Sequence, residues 1–408
     1  MKYSELPSDY KKTFSRYILQ IKCIGIDFFD ESMSFFNRNS GKLILFCLIF
    51  YPFMLGQFTL ISHIRADNFV ETIRVVPVNL MFVQNAVKMM IAVVRKSDIR
   101  DLILDVGELW PKHLQTGDPK VAILKAWLRR IKIPLDLFFI YAVINLFLFE
   151  MIPFLIFMFN MSQGVDGYEL PFQTPNWWKV NSLFSYLVTY LWMVTSTVPA
   201  QMCLYLPFDL MVVIMTSNVS ALFRLLQVDL ENAIKIHDGE HQMKENINVS
   251  DPDSYEEVKR IVKIHQRILR IADQLSKIFG LVIFIHVASA SLVICFYGFL
   301  GVVYSGLADT IANMLTVLNA AITIFLLTLS GQFLCDTSSQ IADAAYQSYW
   351  YESNVKVKKL ILTIIIRAQR PSYLSALGFS ELTLRSFSKI ISSAWTYFSL
   401  LIQVYEET

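Results

Sequence analysis

Seven stretches of this chain are long and apolar enough, or nearly so, to cross a lipid bilayer, and no other sequence feature constrains the fold as tightly. The hydrocarbon layer takes about 20 helical residues, and backbone N–H and C=O groups inside it must bond within the protein. Runs of this length therefore read as membrane-spanning helices. Composition agrees, with 54% hydrophobic residues, a mean hydropathy of +0.46 and only 17% charged residues. A water-soluble domain carries about 25% charge. The chain has too little charge to cover a water-facing surface, so an all-α integral membrane protein is expected.

The apolar runs fall at residues 43–61, 70–94, 133–160, 181–216, 278–304 and 307–334, followed by an amphipathic stretch at 380–408. The fourth run is far longer than a bilayer requires and contains Pro199 and Pro207. It is expected to kink or to leave the membrane. The first 42 residues are polar and of mixed charge, without the apolar core of a signal peptide. They are expected on the cytoplasmic side, with a short amphipathic helix around 14–29. Residues 161–178 form a Gly/Pro/aromatic loop expected at the outer interface.

Two sections keep a helical apolar period while gaining charge. Leu222, Leu225, Leu226 and Leu230, then Val258, Ile261, Ile264, Ile268 and Ile271, predict helices that carry the fourth and fifth spans into the cytoplasm. A polar linker at 237–254 separates them. A second section, 335–379, is patterned at 341–350 and 355–366 and stops at Pro371. The whole chain, 1–408, reads as one domain: an arm at 1–42, anchor regions at 217–277 and 335–379, and a last helix at 380–404.

Charge fixes the orientation. Of the 36 Lys and Arg, seven lie in the arm, nine between spans two and three, nine between spans four and five, and five between spans six and seven. The opposite-side segments hold only Arg65, Arg74 and Lys179. By the positive-inside rule the N-terminus is cytoplasmic and, with seven spans, the C-terminus is extracellular. This orientation is opposite to that of G-protein-coupled receptors. Span three also lacks a Glu/Asp-Arg-Tyr triplet and span seven an Asn-Pro-x-x-Tyr. A transporter or such a receptor with a coincidental charge bias stays as an alternative.

In the last stretch Arg385, Lys389, Ser392, Thr396, Ser399 and Gln403 recur at spacings of 4, 3, 4, 3 and 4. At about 100° per residue they fall within an arc of about 80°. A helix with one wet edge either lines a pore or packs its Ser and Thr against neighbouring helices.

The C-terminal third holds Tyr346 and Trp350, the run RAQRP from Arg367 to Pro371, Gly378-Phe379, Leu384, Phe387, Ile391, Thr396-Tyr397 and Gln403. In this set it resembles the insect odorant receptor family. Spans one to five match in layout rather than in motif. The resemblance implies the ligand-specific subunit of an odorant-gated, nonselective cation channel, a heterotetramer with the odorant co-receptor in the plasma membrane of a sensory dendrite. It implies a central pore lined by the last span and an anchor built from the cytoplasmic ends of spans four to seven. Gustatory receptors, the nearest relatives, end in Thr-Tyr, five apolar residues and Gln-Phe. Here the ending is TYFSLLIQV, with Ser399 and Val404 as departures, and a gustatory channel is the second alternative.

In such a channel Leu400 and Gln403 map onto the extracellular gate, with Ser399 and Thr396 beside them on the pore face. An apolar ring closes a pore by dewetting, and a ring of amides replaces part of an ion's hydration. Arg385 and Lys389 are unusual near the inner end of a cation pore, and are expected to pair with Glu381 or to be offset by partner subunits. The odorant pocket is implied in the outer half of spans two to six. Candidates there are Met81, Phe82, Asn85, Asn145, Phe149, Glu150, Tyr190, Met193, Thr197, Ser289 and Val293, each set against ordinary packing. Glu150 is the sharpest, because a carboxyl at membrane depth is costly unless paired or functional. Lys88 is expected to snorkel toward the inner interface.

The five cysteines are scattered, without CxxC or metal-type spacing, and His63, His113, His237, His241, His265 and His286 lack ligand spacing. No metal, cofactor or enzymatic activity is expected. A sequon at Asn160 falls on the outer side, those at Asn218 and Asn248 on the inner.

Overall fold

Backbone groups inside a bilayer have no water to bond, and the chain meets that condition with helix almost throughout. The computed structural model describes residues 3–30, 38–63, 69–111, 118–164, 168, 170–172, 179–234, 252–303 and 306–407. Most of the outer loop at 165–178, the linker at 235–251 with its Asn248 sequon, His113, His237, His241 and the His63 side chain lie outside the described residues.

In order, the helices are α1 (Ser8–Cys23), α2 (Arg38–His63), α3 (Phe69–Val94), α4 (Lys96–Leu109), α5 (Pro119–Ser162), α6 (Leu183–Ala200), α7 (Leu206–Glu231), α8 (Pro252–Val303), α9 (Leu307–Gln347), α10 (Val355–Ala368) and α11 (Leu384–Glu407). Among the described residues, six helical rods are long and apolar enough to cross a membrane. Leu183–Glu231 counts as one of them. α11 falls short on that measure because its polar seam takes every third or fourth position.

α7 is the centre of the molecule. All but four of its 26 residues are buried, and it packs against α8, α9, α1 and α5. Its polar side chains are satisfied locally or across helices. The Thr216 and Ser220 hydroxyls donate to carbonyls one turn back, and the Gln227 amide donates 2.8 Å to the Thr337 carbonyl of α9.

The helix in the arm starts earlier than expected, at Ser8, and ends at Cys23. It buries Tyr10, Phe14, Tyr17, Ile18 and Ile21, a spacing of 4, 3, 1 and 3 that selects a single face. α4 was not anticipated, although Ile99, Leu102, Ile103 and Val106 carry the same period. It seals the anchor: Tyr10 Oη donates 2.9 Å to the Ile103 carbonyl, and Arg267 of α8 reaches Glu108 at 2.6 Å and Asp105 at 3.3 Å.

α8 starts in the charged section and ends in the fifth apolar run, α9 returns from the sixth into the second charged section, and both are about twice the length a bilayer takes. After α10 a two-stranded hairpin, Ser375–Ala376 with Ser380–Glu381, reverses the chain into α11. Leu377 and Gly378 both take positive φ at the turn, 53° and 83°. Glycine adopts that conformation without cost. The segment then presses onto α9 at Gly331, where any Cβ would strike the backbone of Leu382. The seventh span begins at Leu384, four residues after the start of the stretch assigned to it from sequence.

Candidate functional site

The fourth span stays helical through both prolines, as one rod from Leu183 to Glu231. Pro207 supplies no N–H, and its ring crowds the carbonyl four residues before it. The chain accommodates this by widening Gln201–Tyr205 into a π-helical turn, with the Leu206 N–H bonding back to the Gln201 carbonyl. Such turns are frequent at functional sites. Here Gln201, Met202, Tyr205 and Leu206 all reach the wall of one cavity.

That inner cavity is about 80 Å³. α3 contributes Met81 and Phe82, α5 contributes Asn145, Phe149 and Glu150, and α6 contributes Thr197. Those six belong to the predicted set. The other five lie around it. Tyr190 Oη donates 3.0 Å to the Glu150 carbonyl from behind the wall, and Met193 is fully buried in the main core. Ser289 accepts from the Gln84 amide at 2.5 Å and ties α8 to α3. Val293 packs with Ile73 and Tyr297, and Asn85 is buried with its amide atoms unbonded.

Glu150 is buried rather than hydrated at the interface. Thr197 Oγ1 lies 2.6 Å from its Oε1 and 2.9 Å from the Met193 carbonyl, while Glu150 Oε2 has no partner among the described residues. The carboxyl is the polar handle in a wall that is otherwise mostly apolar.

Above the inner cavity lies an outer chamber of about 620 Å³ whose polar lining includes Gln57, Arg74, Asp309 and Asn313. Val78, Phe149, Phe172 and Tyr297 line both spaces. Phe149 and Phe172, with ring centroids 5.3 Å apart, are the aromatic part of this partition. Phe172, Tyr205 and Tyr297 were missed from sequence. Pro207 was the signal for the π-turn that brings in Tyr205. Phe172 sits in a loop whose fold no local period announces.

Below the inner cavity, Lys88 corrects the sequence reading. It does not snorkel. Its side chain is 1% exposed, with Nζ 2.7 Å from Asp209 Oδ2 and 3.4 Å from the centre of the Tyr205 ring. His286 of α8 completes the group, with Nδ1 3.6 Å from the same carboxylate oxygen. Snorkelling would leave Asp209 as an unpaired charge at depth, and the pair is the cheaper arrangement.

On α11, Ser386, Ile390 and Ala394 face the bundle, whereas the whole seam from Arg385 to Gln403 is exposed together with Trp395, Tyr397 and Leu400. The Thr396 and Ser399 hydroxyls each donate 3.0 Å to carbonyls one turn back, and Gln403 Nε2 lies 3.3 Å from Glu407 Oε1. Among the described residues Arg385 and Lys389 form no ion pair with Glu381.

The family model described as 7tm Odorant receptor matches residues 68–395. The chain belongs to the odorant receptor family. Odorant receptor 85c of Drosophila melanogaster is 24% identical over 76% of this chain and 77% of its own length. Odorant receptor 67a of the same species is 22% identical over 89% and 88%. The match to the putative odorant receptor 85d is 30% identical but spans about a third of each chain. The insect olfactory receptor OR5 from Machilis hrabei, solved in complex with eugenol, superposes with a TM-score of 0.80 at 14% identity, covering 97% of this chain and 100% of that one. The fold is therefore the multi-pass odorant receptor fold, with α11 as its seventh span.

Proposed function

We propose that this chain is the ligand-specific subunit of an odorant-gated, nonselective cation channel in the plasma membrane, assembled as a heterotetramer with the odorant co-receptor. The observation that carries the reading is the pairing, in one chain, of a buried and mostly apolar cavity among the spans with a terminal helix whose polar seam is left uncovered. The inner cavity receives the odorant. Burial of apolar surface at about 25 cal/mol per Å² supplies affinity, and Glu150 with Thr197 orients any hydrogen-bonding group. Eugenol, the ligand of the Machilis receptor, belongs to this class of small, largely apolar molecules.

An apolar cavity that binds benzene measures about 150 Å³, and the inner cavity is about 80 Å³. An odorant therefore enters by displacing the Phe149–Phe172 partition, which merges the two spaces. The π-turn lies between the cavity and the α7 core, where a displaced Tyr205 bears on the Lys88–Asp209 pair. Leu400 and Gln403 act as the extracellular gate, and the regions 217–277 and 335–379 hold the subunits together.

The decisive test is co-expression with the co-receptor and exposure to an odorant panel. An odorant-evoked cation current that needs both chains supports the reading. Current from this chain alone favours the gustatory-type homotetramer, and its absence from both arrangements, with protein at the surface, rejects channel function.

A further inference from the structure

Three elements meet at the inner membrane boundary: α1, the inner end of α5 and the middle of α7. The cleft between them is about 600 Å³, and its lining includes Lys12, Arg16, Lys125, Arg129 and Lys132 against Asp9 and Asp136. Both carboxylates are engaged. Asp9 lies 3.8 Å from Lys12 and Asp136 lies 3.5 Å from Arg16, whose guanidinium also sits 3.7 Å from the centre of the Phe139 ring. Lys125, Arg129 and Lys132 have no carboxylate partner among the described residues. Spaced 4 and 3 apart, they share a face of α5.

That same helix turns apolar directly above them. Ile133 lines the cleft, and Ile133, Leu137, Ile140 and Ile144 are 48%, 63%, 55% and 53% exposed. At about 100° per residue these four fall within an arc of about 60°, beside the basic face. A basic cleft at headgroup depth thus opens onto an apolar track that runs toward the membrane centre. The charge count of the loops puts this end in the cytoplasmic leaflet.

A soluble anion would use the cleft and leave the track bare, whereas an anionic lipid uses both. Three unpartnered cations in one cleft also exceed what the single net charge of a serine headgroup balances, and Arg and Lys bind phosphate oxygens through charge-assisted hydrogen bonds. We infer that this cleft binds the headgroup of a multiply phosphorylated inositol phospholipid, with its acyl chains along the Ile133 to Ile144 face. The lipid bridges α1 to α5. Because α1 is also bonded to α7, through the Asn218 amide 3.1 Å from Thr13 Oγ1, and to α4 through Tyr10, the lipid stiffens the arm against the core.

The test uses the detergent-solubilised full chain, assembled with its co-receptor. Dioctanoyl phosphatidylinositol bisphosphate, dioctanoyl phosphatidylserine, inositol trisphosphate and inorganic phosphate are compared by thermal shift and native mass spectrometry. The bisphosphate lipid is expected to bind and to raise the melting temperature. K125Q/R129Q/K132Q should weaken it by about a hundredfold, at about 1 kcal/mol for each basic residue near an anionic headgroup. K42Q, which removes an exposed charge from the start of α2, should leave binding unchanged. Should the triple variant fail to assemble, R129Q alone is expected to give a roughly fivefold loss. Equal affinity of parent and α5 variants overturns the site. Trisphosphate binding as tightly as the lipid overturns the lipid assignment, as does phosphatidylserine matching the bisphosphate. These readouts need no channel current, so they are independent of whether the chain conducts.

Discussion

The Nζ of Lys88 lies 2.7 Å from Oδ2 of Asp209, both side chains almost wholly removed from solvent, and the contact joins the second span to the fourth. Removing one partner of such a pair leaves a bare charge at membrane depth, which costs about 3–5 kcal/mol. K88M and D209L are each expected to lose most of their surface protein and to melt earlier in detergent. The double variant K88M/D209L should recover much of both. Surface biotinylation and a melting curve decide it, and a single variant as stable as the parent removes the pair from the list of structural determinants.

Glu150 offers one unbonded carboxyl oxygen beside the Thr197 hydroxyl. E150Q and T197V should raise the half-maximal concentration of hydroxyl-bearing odorants by about five- to tenfold, the cost of one net hydrogen bond. Purely hydrocarbon odorants should shift far less. Concentration–response curves for matched odorant pairs measure the difference. Equal shifts for both classes would mean that the carboxyl shapes the wall rather than contacting ligand.

Phe172 belongs to the partition between the two chambers. F172A is expected to admit bulkier odorants and to speed both the onset and the decay of the response. Rapid odorant application resolves the kinetics, and unchanged rates with an unchanged ligand size limit argue for another entry route.

Leu400 and Gln403 sit one turn apart on the uncovered face of α11. If a Leu400 ring closes the pore by dewetting, L400S should hydrate it and raise the current in the absence of odorant several-fold. Q403E should change relative cation permeability without altering odorant potency. Reversal potentials and basal currents test the two statements separately.

In the cytoplasmic anchor, His265 is buried against Phe223. Burial, aided by the charge of Arg367, pushes its pKa from the ordinary 6.5 down to about 4. The unfolded chain therefore binds a proton more readily than the folded one between those values. Stability from this site is full above about pH 6.5 and is lost as pH falls toward 4, by up to about 3 kcal/mol. Melting of the wild type should fall with acidification across that window, and H265F should flatten the fall. An identical slope in both would place the acid sensitivity elsewhere.

The helices were legible because hydrocarbon burial imposes length and composition, and the periods in the cytoplasmic sections were strong enough to show α7 and α8 continuing beyond the membrane. α4 escaped notice because its buried Ile99, Leu102, Ile103 and Val106 are scattered through a strongly charged segment, so composition hid the period. Lys88 was misread for a different reason. Its distance from the end of the span suggested snorkelling, while its partner lies 121 residues away in sequence, at a separation that no local pattern reports. Of the pocket set, residues on α3, α5 and α6 at a common depth converge on the cavity. Asn85, Met193, Ser289 and Val293 share that depth but turn elsewhere, and helix rotation is what the sequence alone did not give. Tyr205 and Phe172 depend on a π-turn and a loop, where side-chain direction follows from tertiary contacts.

The missing side chain at Gly331 lets the segment leading into α11 settle onto the backbone of α9. α11 is held along its length, by Ser386, Ile390 and Ala394 near this root and by Phe398, Leu401, Ile402 and Tyr405 against the 293–300 part of α8 toward its tip. The same turns that carry Leu400 and Gln403 on their exposed side therefore touch α8 on the other, so a shift of α8 reaches those two residues directly. Filling that notch, as in G331A, should lift the root off α9 and shift the register of every contact beyond it.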